Sequence, residues 1–420
     1  MYNTKECKNQ VSSDGLVKPV NSDRATIDSL FTIKQYTTEP DCDIILNINK
    51  NINRSEEMLN NSMNNNRDLK DFEIEGNTLV KYRGTDSDVV VPECVEDIGE
   101  RAFQECSSVT KITIPNGVTT IWPLAFAYCR GLKSIKISES VINLYNDIFY
   151  DCPNLEEIIV DSRNSEFYSQ NNCLISKKNK TLIAGCANSI IPNDIKCILG
   201  GAFWGRSGLK SITIPNSVSN IGDRAFENCD ELTSIMIPNS VESIGKDVFS
   251  CCTSLEEIEV DSKNEVYYGK GNCIIHRESK TIVVGCKNSI IPDGVTHIGD
   301  GAFFYCSGLT SIVIPNGVVS IGRNAFAGCK GLTSITVPDG ITSIPDSAFY
   351  GCSGLVSITI PESITNIGEY AFAECSKLTS IIFKGTKKQL STITIGDNWD
   401  YETGSYVVHC TDGDIDKIIL

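Results

Sequence analysis

A β-rich solenoid of about twelve coils is the fold class that this 420-residue sequence predicts, and three observations carry it. "PNSVSNIGDRAFENCDELTSIMI" at 215–237 is followed at once by "PNSVESIGKDVFSCCTSLEEIEV", with Phe and Cys at matching places. Unit starts recur at Pro92, Pro115, Ser138, Asp161, Pro192, Pro215, Pro238, Asp261, Pro292, Pro315, Pro338 and Pro361, in steps of 23 except for two steps of 31 that begin at Asp161 and Asp261. Within a coil the apolar places are fixed; in the coil of Pro115 they are Val118, Ile121, Ala125, Phe126, Cys129, Leu132, Ile135 and Ile137. That spacing fits neither a long 3.6-residue helix nor one long alternating strand. It fits a chain that turns every few residues and sends one side chain inward per edge.

Taken in order, residues 1–66 form an Asn-rich segment, "LNINKNINRSEEMLNNSMNNNRD" among them, with too little apolar surface to offset the entropy of ordering it, so a mostly disordered segment is expected. The array proper spans 92–383. In each coil a stretch such as "LKSIKI" alternates inward Ile135 and Ile137 with outward Ser134 and Lys136, as a strand of a parallel sheet does. A second short extended stretch, "VSNIG" in the coil of Pro215, runs on the opposite side. The Gly after Ile (Gly222, Gly245, Gly299, Gly322, Gly368) is read as permitting a sharp turn into a short helical or 3₁₀ piece that carries Ala-Phe. The two long coils, 161–191 and 261–291, lie 100 residues apart and define a larger repeat of one long and three short coils. Each holds an insert, "NCLISKKNKTLIAGC" or "NCIIHRESKTIVVGC", that reads as a hairpin.

The unit C-x-x-L-x-x-I-x-I-P-x-x-V-x-x-I-G-x-x-A-F resembles the BspA-type, or Treponema-type, leucine-rich repeats from about residue 71 onward. The resemblance implies a right-handed superhelix, an N-terminal capping hairpin at 67–91, a C-terminal cap at 384–420, and hairpin repeats at the two inserts. It also implies a non-enzymatic binding surface, usually outside bacteria or certain protozoa and often adhesive.

Composition narrows the partner. With 37 basic and 53 acidic residues the formal charge of -16 repels nucleic acid and anionic lipid alike, and no basic stretch overrides it. No window approaches 18 consecutive apolar residues, so membrane insertion is not expected, and the N-terminus shows no secretory apolar segment, although the resemblance implies a cell-surface or secreted protein. Nine of the 19 cysteines sit three residues after the repeat Phe, where they stack as a buried ladder of small apolar groups; Arg206 takes the tenth such place. Cys173 with Cys186, and Cys273 with Cys286, bracket the inserts and could face across them, and reduced thiols are the favoured reading there. No C-x-x-C occurs, and the "DGDID" run at 412–416 lacks the Gly and Glu of a calcium loop, so no metal or other cofactor is expected. His276, His297 and His409 have no nucleophile at a useful spacing, so no enzyme is expected either.

Two functions from different classes remain: a scaffold that binds a protein or glycan, and a structural spacer with no dedicated ligand. The outward strand positions are mostly Ser and Thr without an aromatic, so the strand face lacks the usual anchors of tight binding. The expected binding residues are the acidic pair Glu257 and Glu259 on that concave face, with Lys177, Lys178, Lys180, Arg277 and Lys280 on the two protruding loops.

Overall fold

The computed structural model describes residues 69–417; the expected disordered segment at 1–66 lies outside them. Every apolar place read from the coil of Pro115 points inward, with Val118, Ile121, Ala125, Phe126, Cys129, Leu132 and Ile137 fully buried and Ile135 at 1% exposure. Two parallel ladders run along the array. Longer strands such as Ser134–Ile137 and Glu157–Val160 pair in register, Ile135 beside Ile158, and two-residue strands such as Thr120–Ile121 and Asn143–Leu144 pair on the other side. The Phe rings pack between the ladders, Phe103 tilted against Phe126 and Phe126 stacked on Phe149, both at 5.5 Å between centroids. Truncating one such fully buried ring costs about 3–5 kcal/mol.

Among the described residues the solenoid makes about 14 turns rather than about twelve. The two additional rungs belong to the ends. Thr78–Tyr82, paired antiparallel with Phe72–Glu75, stands beside Asp97–Ile98, and Tyr82 stacks on Phe103 in place of a repeat Phe. At the other end Thr394–Ile395 stands beside Asn366–Ile367, and Trp399 meets Phe372 edge-on.

The piece that carries Ala-Phe is neither helical nor 3₁₀. Each coil instead makes overlapping four-residue turns, Ala102 N–H to Gly99 O, Gln104 N–H to Arg101 O and Cys106 N–H to Phe103 O, with left-handed residues at Arg101 and Glu105. The intervening amides bond to the following coil, Phe103 N–H to Ala125 O and Glu105 N–H to Ala127 O. Bonding across coils uses the groups that a helix would spend within itself. The only α-helix among the described residues is Lys387–Leu390, capped by Thr386 and Gln389. The repeat glycines also act differently from the expectation. Gly222 and Gly368 do not adopt a positive φ; a Cβ on either would come within 2.4 Å of a backbone nitrogen of the preceding coil, so these glycines permit close stacking.

The long coils interrupt the stack. The insert strands Phe167–Gln170, Cys173–Ser176 and Thr181–Gly185 pair antiparallel, and the last joins the two-residue ladder beside Cys197–Ile198. The second insert, Tyr267–Lys270, Cys273–His276 and Thr281–Gly285, repeats this. Because an insert has crossed to the other side, the next coil finds no neighbour on the longer-strand face. Residues 211–213 and 311–313, the segments of those coils that match Ser134–Ile137, are therefore not in strands. The longer-strand face consists of three separate sheets, and the core of three clusters. Cys173 opposes Gly185 rather than Cys186, and all four insert cysteines are free, buried thiols. Burial pushes Cys173 up to about 11 and Cys186 up to about 12.

Candidate functional site

The cysteine ladder has a definite duty. Cys129 Sγ donates to Phe103 O at 3.0 Å, Cys229 to Phe203 O at 3.3 Å and Cys352 to Phe326 O at 3.1 Å, so each buried thiol satisfies a carbonyl of the preceding coil. These thiols are structural. The histidines are also locally occupied: His276 Nδ1 lies 3.1 Å from Ser279 Oγ, His297 Nδ1 2.8 Å from Thr296 Oγ1 and His409 Nδ1 2.9 Å from Asp414 Oδ1. Among the described residues no group of three or more His, Cys, Asp or Glu side chains could hold a metal ion.

Glu257 and Glu259 are exposed on the strand Glu257–Val260, parallel to Ser234–Ile237 with Glu259 beside Met236. The second insert packs against this strand through Tyr267–Lys270 and Cys273–His276. The basic loop residues are divided in their roles. Lys177 donates to Asn164 O, and Arg277 donates to Asn264 O at 2.9 Å. Asn164 and Asn264 are buried corner residues whose side-chain amides hold both the preceding coil and the start of their own insert. Lys177 and Arg277 thus clamp the inserts. Lys180 pairs with Asp194 at 2.9 Å and lies 4.9 Å from the Tyr168 ring centre; the hydrogen bond to Asp194 raises its pKa. Lys178 and Lys280 make no side-chain bond among the described residues. The carbonyls of Lys180 and Lys280 accept from Lys196 and Thr296 at the two-residue ladder. These two lysines accordingly sit at a different side of the coil from Glu257 and Glu259, and the seven residues do not form one cluster.

The aromatic side chains missing from the strand face lie on the turns. The two places after the repeat Phe hold Tyr128, Tyr150, Trp204, Tyr305 and Tyr350. Tyr128 meets Tyr150 at 5.1 Å, Tyr150 meets Trp204 at 3.9 Å, and Arg224 stands over Trp204 at 5.3 Å. Beside them Arg224 Nε approaches Glu227 Oε2 at 3.7 Å and Asp247 Oδ2 at 3.9 Å. Burial outweighs this cation and pushes the Glu227 carboxyl up to about 7.

In the last block the same turn row opens into a groove of about 370 Å³. Its row is one repeat position in successive coils, Tyr305, Gly328, Gly351, Glu374 and then Glu402, all left-handed with φ between 52 and 72. Their amides bond regularly to the next coil, Tyr305 N–H to Ala327 O at 2.7 Å and Gly351 N–H to Ala373 O at 2.8 Å. The two glycines remove side chains from the middle of the row. Tyr305 leans over Gly328, whose absent Cβ would fall 2.7 Å from the Tyr305 ring, and Tyr350 donates its hydroxyl to Glu374.

The BspA type leucine-rich repeat region matches over residues 82–181, 182–285 and 283–398, in six copies. The chain belongs to this family. A leucine-rich cell surface protein of Faecalibacterium prausnitzii is 29% identical over 77% of this chain and 95% of its own, with a TM-score of 0.51. A leucine-rich repeat protein from Eubacterium ventriosum is 24% identical over 72% and 89%, with a TM-score of 0.42. The pneumococcal vaccine antigen PcpA is 16% identical over 81% and 84%, with a TM-score of 0.43. Among curated proteins none matches the chain.

Like the family's repeats in general, these BspA-type coils form a repeat scaffold, and no described helix is long and apolar enough to cross a membrane. The turn row is hard to see in the sequence because the alternation of the strand positions dominates the pattern of each coil. The signal was nonetheless present: the second residue after each repeat Phe reads Tyr, Gly, Gly, Glu from 305 to 374, beside coils that carry Tyr128 and Asp151 there.

Proposed function

We propose that the chain is a non-catalytic scaffold that binds a protein or glycan, with its main anchors on the turn row and a secondary surface at the second insert. One observation carries this reading. Tyrosines, a residue type enriched at binding hot spots, gather half-buried on the turns at Tyr128, Tyr150, Tyr305 and Tyr350, whereas the strand face offers Ser and Thr. Stacked coils bring equivalent turns side by side, so a row of anchors engages one extended partner. Glu257 and Glu259, flanked by the insert of Arg277 and Lys280, supply charge that would set orientation more than affinity. The likeness to a cell surface protein agrees with a role in contact between surfaces.

Binding to printed arrays of purified proteins and of glycans tests the proposal. The native chain should give reproducible ligands. Combined Tyr128→Ala and Tyr350→Ala should weaken them, while Glu257→Ser with Glu259→Ser and Lys178→Ser with Lys280→Ser should chiefly change their salt dependence. A chain that binds nothing on either array would favour the spacer reading.

A further inference from the structure

We infer that the groove between Tyr305 and Glu402 is a binding site for an uncharged oligosaccharide, a reading that rests on the scaffold function and assigns it a ligand class. Position along the array makes the site. Coils repeat at about 4.8 Å, so the three steps from Tyr305 to Glu374 span about 14 Å, the reach of a short extended glycan. The volume of about 370 Å³ falls within the range of roughly 300–1,000 Å³ typical of small-ligand clefts.

Chemistry narrows the class. The floor is Gly328 and Gly351, whose N–H groups already bond to Tyr350 O and Ala373 O, so a ligand must find its polar partners among side chains. Those are the carboxylates of Glu374 and Glu402, Lys330 and the serines at the rim, with the Tyr350 hydroxyl, already donated to Glu374, left to accept. Such a set both accepts and donates, which suits a polyol whose every hydroxyl does the same. An apolar peptide side chain would find no aliphatic pocket among these lining residues, and an anionic ligand would face two carboxylates against one lysine. The Tyr305 ring, lying close over Gly328, supplies the apolar surface against which the C–H side of a pyranose packs. Equivalent places in the first block carry Tyr128 and Asp151, where no such glycine floor exists, so the site belongs to the last block.

Isothermal titration of the full chain with maltopentaose, cellopentaose and chitopentaose, and with a heparin hexasaccharide as the anionic probe, tests the inference. At least one neutral pentasaccharide should bind and the heparin fragment should not. Tyr305→Ala should weaken the neutral ligand about tenfold, as expected for loss of an anchor. Because Tyr305 packs on the coil below, the double variant Tyr350→Phe with Glu374→Gln, which keeps size and shape, provides a second reading and should weaken binding by a similar factor. Retained affinity in both variants overturns the site, as does preference for heparin. Failure of all three pentasaccharides overturns the saccharide inference; if the protein array still yields ligands, the scaffold function stands, and if neither array does, both readings fall.

Discussion

After Phe149 and again after Phe249 the ring stack stops, an insert follows, and the next coil resumes with Phe203 lying on Gly185 or Phe303 lying on Gly285. At the first junction the ladder place holds Arg206, which is 1% exposed and donates from Nε to Gly185 O at 2.7 Å and from Nη1 to Trp204 O at 2.7 Å and Phe149 O at 3.1 Å. At the second junction the same place holds Cys306. No bond from its thiol is formed among the described residues, and a cavity of about 20 Å³ remains beside Phe249, Gly285 and Phe303. In an ordinary coil a cysteine reaches the preceding Phe carbonyl across one step; at a junction the carbonyl is farther, and only a long donor reaches it. The difference teaches that the ladder place is defined by the carbonyl it serves rather than by sulfur.

The largest expected effect follows from that contrast. Arg206→Ala removes three hydrogen bonds and leaves a void, and should destabilise by about 3–5 kcal/mol. Cys306→Ala, which loses little volume and no bond, should cost about 1 kcal/mol. Arg206→Met separates the two contributions, since it fills space without donating. Denaturation curves that shift equally for the two Ala variants would remove the basis of the comparison.

A second measurement asks whether the junctions are otherwise alike. A Cβ at Gly185 would lie 2.1 Å from Phe203 Cε1 and one at Gly285 2.0 Å from Phe303 Cε1. Gly185→Ala and Gly285→Ala should therefore each cost about 1–3 kcal/mol by forcing the ring aside, and by similar amounts. A mild effect at Gly285 alone would mean that the cavity there absorbs the displaced ring.

The junctions also mark where the sequence stops being legible. Inside the array one side chain per edge must point inward, so Val118, Phe126 and Leu132 announce their burial through spacing alone. The end rungs carry no repeat signature, because Tyr82 and Trp399 replace the repeat Phe and the proline that starts a coil has no counterpart there. The turns looked helical because Ala-Phe has helical company, yet the amides of Phe103 and Glu105 bond to the next coil, a fact of stacking that no local pattern carries. The basic loop residues do not join Glu257 in one surface, because the inserts cross the coil and carry Lys180 and Lys280 to the other ladder. Tyr305 and Glu374 meet across a groove only because two glycines intervene at the same height.

The middle block differs from its neighbours in a titratable group, Glu227 standing where the others have Ala127 and Ala327. Burial raises its folded carboxyl from 4.5 to about 7, so the folded state holds the proton more tightly than the unfolded chain does. Stability must then fall as pH rises from about 4.5 to about 7 and stay level above, the sign opposite to that of a paired carboxylate. With its side chain 13% exposed and Arg224 near, solvent and the cation screen the penalty to about 1–2 kcal/mol. Glu227→Gln should remove that part of the slope, leaving the share owed to Asp147 and Asp247, which burial raises in the same direction. An unchanged pH profile of unfolding in the Gln variant would show that the carboxyl stays solvated.

The smallest effect is the most discriminating, because it is a difference in sign. Cys329, one coil beyond the second junction, donates to Phe303 O at 3.2 Å, so Cys329→Val exchanges a hydrogen bond for a methyl group and should cost about 0.5–1.5 kcal/mol. Cys306 has a cavity in front of it and a thiol that burial pushes up to about 12, hence inert at neutral pH. Cys306→Val should let a methyl group enter the void without forfeiting a bond. At about 24 cal/mol per Å³, filling about 20 Å³ is worth roughly half a kcal/mol in favour of the folded state. In a solenoid such small terms stay local, so amide hydrogen exchange in the flanking coils reads them better than a global melt. Slower exchange around residue 306 with faster exchange around residue 329 supports the carbonyl-serving role of the ladder; loss of protection at both would mean that Cys306 already holds the junction through its sulfur.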